Sequence, residues 1–170
     1  MCEPRIYVAD LAAYNNGKLH GVWIDASLDL EDIQDAVLKM LKSSPEPDAE
    51  EWAIHDFEGF GSHRLSEYDS FERVSELAQF IEEHEELGAE LISHFCGDIE
   101  EARKAIEEQY AGCHKSVADF AEELTEGTTE IPESLARYID YKAMAYDLEV
   151  SGDIFTLELA FEEVHIFWSR

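Results

Sequence analysis

Basic residues are scarce in this chain: 12 Lys and Arg stand against 40 Asp and Glu, leaving a formal charge of -28. Neutralising nucleic-acid phosphates takes clustered Lys and Arg. Here the bases are scattered singly or as the pair Arg103-Lys104, which argues against direct nucleic-acid binding. Cysteine is also rare. Cys2, Cys96 and Cys113 are odd in number and widely spaced, which makes no disulfide framework and fits reduced thiols in a cytoplasm. No apolar run exceeds four residues, far short of the roughly 20 needed to cross a bilayer. The opening MCEPR is no secretion signal either, so the expectation is a cytoplasmic protein with no membrane segment.

What is present is enough for a core and an unusual surface. Leu, Ile, Val and Phe make up about a quarter of the 170 residues, above the level of about 20% below which a highly charged chain stays disordered. The charge is evenly spread: acids outnumber bases 13 to 4 over residues 1–62, 14 to 4 over 63–110 and 13 to 4 over 111–170. An interaction tail concentrates charge at one end, whereas here every third of the chain carries the same excess. Self-repulsion of this size costs compact stability, so a purpose common to all three segments is expected.

The periodicities predict an α+β fold, an elongated chain of three small domains. Residues 1–62 read as an N-terminal α/β unit: RIYVAD and LHGVWID alternate as strands, Ile6 and Val8 on one face and Val22 and Ile24 opposite Trp23. A turn is expected at Asn15, Asn16 and Gly17. A helix then starts at Asp29 with Ile33, Val37, Met40 and Leu41 on one face, and EWAIHDF supplies a third strand. Residues 63–110 read as a central helical bundle, capped by Asp69 and Glu72, striped by Phe71, Val74, Leu77, Ala78 and Ile81, broken at Gly88, and helical again from Ala89 to Phe95 and from Ile99 to Tyr110. Residues 111–170 read as a C-terminal α/β unit: a helix capped by Ser116 and Asp119, two short helices after Pro132, and paired strands. In those strands Phe155, Leu157, Leu159 and Phe161 share a face, and Val164, Ile166 and Trp168 pair with them.

Familiar chemistry is absent from the pattern. Forty carboxylates guarantee accidental pairs, so a hydrolase with paired carboxylates has no specific support. In HEELG, Gly88 stands where a zinc helix needs its second His, and Cys96, Cys113 and His114 lack structural-zinc spacing. The Asp25–Ala36 stretch has Leu30 and Ala36 where a calcium loop needs Gly and Glu. With no phosphate loop or catalytic triad legible either, the chain reads as a non-enzyme without cofactors or metals. The polyanion is the protein itself: 28 net charges match about 48 Å of duplex at one charge per roughly 1.7 Å. A second reading is an acidic scaffold or salt-adapted protein with a non-DNA-binding partner.

Three long strings carry a resemblance. IYVADLAAYNNGKLHGVWID (Ile6 to Asp25), AIHDFEGF (Ala53 to Phe60) and IPESLARYIDYKAMAYDLE (Ile131 to Glu149) resemble the ArdA antirestriction family over essentially the whole chain. That resemblance implies a curved, elongated, three-domain homodimer of the kind carried on mobile elements, which mimics bent DNA. It would occupy the DNA-binding groove of Type I restriction-modification enzymes, formed by the methyltransferase core with its specificity subunit. By similarity, the family's antirestriction motif and dimer contact fall on Pro132, Glu133, Leu135, Tyr138, Ile139 and Asp140, although Leu135, Tyr138 and Ile139 also suit helix packing within one chain. From predicted polar faces, the displayed array is expected to include Asp29, Asp32, Glu72, Glu76, Glu83, Glu86, Glu100, Glu101, Glu107, Glu108, Glu122, Glu123 and Glu126.

Overall fold

A computed structural model describes residues 2–169. The fold is α+β, and the chain divides into two compact units, Met1–Ile99 and Glu100–Arg170. The expected boundaries at 62 and 110 both lie inside these units.

In the first unit, β1 (Arg5–Asp10) lies between β2 (Gly21–Asp25) and β3 (Trp52–Glu58) in an antiparallel sheet. The predicted alternation places Ile6, Val8, Ile24 and Ile54 in the core, while Trp23 on the other face is exposed and meets Tyr7 at 5.5 Å. Gly21 is required opposite Ala9, because a Cβ there would lie 2.6 Å from the Val8 carbonyl oxygen. The β1–β2 connection is not a plain turn. It contains the short helix α1 (Leu11–Asn15), capped by the Asp10 side chain, so Asn15 is helical and only Gly17 of the expected turn residues takes a positive φ.

Helix α2 (Leu30–Lys42) buries Ile33, Val37, Met40 and Leu41 as its spacing requires and ends before Pro45. Helix α3 (Phe71–His94) buries Phe71, Val74, Leu77, Ala78 and Ile81. Two expectations shift by a few residues. The cap is Ser70, whose hydroxyl accepts from Arg73 N, while Asp69 instead accepts from Ser66 N at 2.7 Å. The break falls at Glu85 (φ 53°, ψ -136°), and Gly88 is buried within the helix. A Cβ on Gly88 would come within 2.9 Å of His84 Cβ and 3.1 Å of the Phe80 carbonyl oxygen, so its lack of a side chain permits close packing. Specific contacts tie α3 to the N-terminal sheet unit: Ser75 Oγ donates to Leu28 O at 2.7 Å, Gln79 Nε2 donates to Ser27 O at 3.1 Å, and Phe71 stacks on Trp52 at 4.0 Å. These contacts give α3 and the preceding strands a shared core, which the helical periodicity of α3 alone did not reveal.

The second unit follows α4 (Ile99–Lys104) and a π-helical turn (Ala105–Gln109) into β4 (Tyr110–His114). Its sheet runs β4-β6-β5, with β5 Ile154–Ala160 and β6 Glu163–Trp168, and is covered by α5 (Val117–Thr128) and α7 (Tyr141–Val150). The four-residue α6 (Glu133–Ala136) precedes α7. The helix expected to run to Tyr110 ends at Gln109, and Tyr110 opens β4, a strand that the sequence does not signal because YAGCH has no alternation of its own; its strand character comes from pairing with β6. Phe120, Ile154, Val164 and Ile166 form the core beneath α5, with Leu124, Leu148 and Trp168 packed on it. The predicted β-hairpin is present but its two apolar stripes lie on opposite faces. Direct pairing of Phe155 with Phe167 and of Thr156 with Ile166 sets the Phe155 stripe against the other side from Ile166. Phe161 leaves the stripe altogether, because it sits in the hairpin turn and is 88% exposed.

Candidate anionic interface

Carboxylates can serve as a recognition surface only where the fold leaves them in water. All thirteen predicted array residues are exposed. Asp29 caps α2 by position without a side-chain capping bond, and Asp32 lies in the first turn, where the helix dipole favours negative charge. Glu72, Glu76, Glu83 and Glu86 lie on α3, Glu100 and Glu101 on α4, Glu107 and Glu108 on the π-helical turn, and Glu122, Glu123 and Glu126 on α5. Amphipathic spacing produces this outcome: the apolar positions of each helix face its core and leave the glutamates outside.

Two members of the array have a histidine beside them. Glu123 approaches His114 at 3.3 Å and Glu83 approaches His84 at 3.8 Å. Among the described residues Asp10 is the one buried acid, with its carboxylate turned to structural use. The negative field is felt next to α5, where desolvation and then the charges of Glu126 and Glu122 raise the pKa of the Tyr141 phenol.

Other polar groups gather around His165 and beside the kink of α3. Tyr110 Oη lies 2.8 Å from His165 Nδ1, and His165 Nε2 lies 3.5 Å from Glu163. Burial, then the charges of Cys113 and Glu163, raises the Tyr110 pKa, so this hydroxyl keeps its proton and serves as a hydrogen-bonding group in the sheet. Beside the α3 kink, Glu3, Glu82, Glu85 and Glu86 border a hollow of about 510 Å³ with Cys2. Among the described residues no group of three or more His, Cys, Asp or Glu is placed to hold a metal ion, and no helix is long and apolar enough to cross a membrane.

The segment containing Pro132, Glu133, Leu135, Tyr138, Ile139 and Asp140 is presented outward as well. Pro132 is the N-cap of α6 and Asp140 caps α7 by accepting from Ala143 N at 3.0 Å. Leu135 and Tyr138 are exposed, at 55% and 70%, and Ile139 is half-buried. The Arg137 guanidinium lies 5.0 Å from the centre of the Tyr138 ring. Tyr146 and Val150 of α7 add two further exposed apolar side chains to this unit. Sequence reasoning passed over them, and their i,i+4 spacing on a helix with one buried residue was the available signal.

The family profile described as Antirestriction protein (ArdA) matches residues 6–163. This chain belongs to the ArdA family. The match covers nearly the whole chain, so both units fall within it. A comparison with curated proteins gives no match. Within the ArdA fold seen here, the first of the three resembling strings builds β1, α1 and β2, the second builds most of β3, and the third builds α6 and α7. Membership of an antirestriction family implies interaction with restriction enzymes.

Proposed function

We propose that this ArdA protein inhibits Type I restriction-modification enzymes by occupying their DNA-binding groove with carboxylates in place of phosphates. The observation that carries the reading is the exposure of all thirteen array residues, drawn from helices of both units, on a chain of net charge -28. Inhibition then needs no bond made or broken by the protein. The partner is the methyltransferase core with its specificity subunit, and the affinity is spread over many solvated charges, each contributing little because water and salt screen it.

The protein acts as a homodimer in this reading, with Pro132–Asp140 at the contact. Leu135 and Tyr138 support that part because their exposed side chains are not consumed by packing within the chain.

The decisive experiment is displacement of labelled duplex from a Type I methyltransferase core, followed by fluorescence anisotropy. Wild-type protein should displace the duplex more effectively as ionic strength falls. The quadruple variant Glu72→Lys, Glu76→Lys, Glu122→Lys, Glu126→Lys should keep its circular dichroism spectrum and lose competition by at least tenfold. An acidic scaffold for another partner would leave the duplex bound at every protein concentration.

A further inference from the structure

The loop that joins β5 to β6 departs from what a tight hairpin prefers. Its two residues, Phe161 and Glu162, link the pair Ala160 and Glu163, and the register shifts beside them, between Glu158 and Ala160. Hairpin loops place Gly, Asn or Asp where φ is positive, because those residues accept the left-handed region most readily. Here the positive φ, 58°, falls on Glu162. Bulges and strained backbone at a strand end serve to re-aim a side chain, and the side chain carried at this tip is Phe161. It is 88% exposed, the highest value for any large apolar residue among those described. Its ring meets no other ring among the described residues. Glu158 and Glu162 flank it in the chain, both exposed, and neither carboxylate has a hydrogen bond or ion pair among the described residues. A single apolar residue in water is ordinary; one raised on a hairpin tip by a backbone bent against its preference asks for a reason.

We infer that Phe161 stands in for an extruded base and enters the pocket in which the partner methyltransferase holds its target nucleotide. The inference rests on the reading of the protein as a substitute for DNA. Methyltransferases take the target base out of the stack and hold it between aromatic and apolar side chains. Carboxylates on helix faces copy phosphates but put nothing into that pocket. The β5–β6 tip supplies the missing part: one flat ring projecting beyond the surface, with a free carboxylate before it and another after it, as an extruded base has phosphates on either side. A phenyl ring has no hydrogen-bonding edge, so it is held by stacking, which tolerates any ring because every base presents a π-face. Burial of that ring is insensitive to ionic strength, unlike the contribution of the carboxylates.

Displacement of labelled duplex from the methyltransferase core separates the ring from the charges. Phe161→Ser removes a side chain that packs on little of its own fold, so its melting temperature should match that of the wild type while displacement weakens at least fivefold. Phe161→Trp should stay within twofold of the wild type. Both should keep the wild-type slope of log affinity against log salt, since neither alters charge. Glu162→Asn, which suits the positive φ, should raise Tm and stay within twofold in displacement. Equal displacement by the wild type and Phe161→Ser overturns the inference, as does an equal loss in Phe161→Ser and Glu162→Asn.

Photo-crosslinking locates the pocket. With p-benzoylphenylalanine in place of Phe161, irradiation of the full chain with the methyltransferase core should mark the same enzyme peptide as a duplex carrying 5-iodouracil at the target base. An adduct on the specificity subunit, on a second copy of this chain, or on no protein overturns the inference even where the wild type displaces DNA. Conversely, a wild type that leaves DNA in place while the benzoyl ring still marks the base-pocket peptide would sink competition for the groove and keep the role of Phe161.

Discussion

Asp10 is the acid whose removal should damage the fold rather than the surface. It is 0% exposed. One carboxylate oxygen accepts from Ala12 N at 3.0 Å and Ala13 N at 3.3 Å, capping α1, and the other accepts from Ser44 Oγ. Replacing Asp10 with Ala removes an N-cap, a loss of about 0.5–2 kcal/mol, and leaves partners of a buried network without an acceptor, at about 1–3 kcal/mol. These effects overlap, so Asp10→Ala should cost about 2–4 kcal/mol. For a unit of this size each kcal/mol lowers Tm by about 4–8 °C, a shift of roughly 10–30 °C. Asn keeps an oxygen for the two backbone donors and places an amide against Ser44 Oγ, so Asp10→Asn should cost under about 1 kcal/mol. Urea titration with residue-resolved amide exchange should place the loss in Met1–Ile99 and leave the C-terminal unit's protection unchanged. An Asp10→Ala protein within about 0.5 kcal/mol of wild type would refute the capping account, and an Asn variant as damaged as the Ala variant would show that charge, not geometry, is what the site requires.

Two neighbouring substitutions in α3 should move stability in opposite directions. Glu85 holds a backbone conformation that glycine adopts far more readily, so Glu85→Gly should stabilise by about 1 kcal/mol, while Gly88→Ala forces a Cβ into His84 and the Phe80 carbonyl and should cost about 1–3 kcal/mol. Urea midpoints shifting the same way for both would contradict the positions assigned to kink and close contact. His63 should contribute to the pH dependence: burial first, then the Arg73 charge, lowers its folded pKa below the ordinary 6.5. The unfolded chain then binds the proton more readily, so this group's contribution to stability is present above pH 6.5 and declines as pH falls through that value toward the lower folded pKa. His63→Gln should accordingly gain stability relative to wild type as pH falls from 7.5 to 5 in paired thermal melts, and a variant-minus-wild-type difference in Tm that stays constant or falls would contradict the direction.

Much of this molecule was legible in the sequence because local pattern and solvent exposure are coupled. Period-two alternation located β1 and β2, and helical spacing identified the buried faces of α2 and α3; the exposed acids of those helices followed as what the faces leave outside. The resembling strings located the family and the outward-facing segment at Pro132–Asp140. Features that depend on distant partners were not legible. Strand β4 exists through pairing with β6, the break in α3 falls at Glu85 rather than at the glycine, and the two stripes of the last hairpin separate onto opposite faces through its register. Only the packing of α7 against α5 sets Asp147 beside Leu124 and Met144, because a groove is made by two surfaces meeting and neither helix encodes it alone.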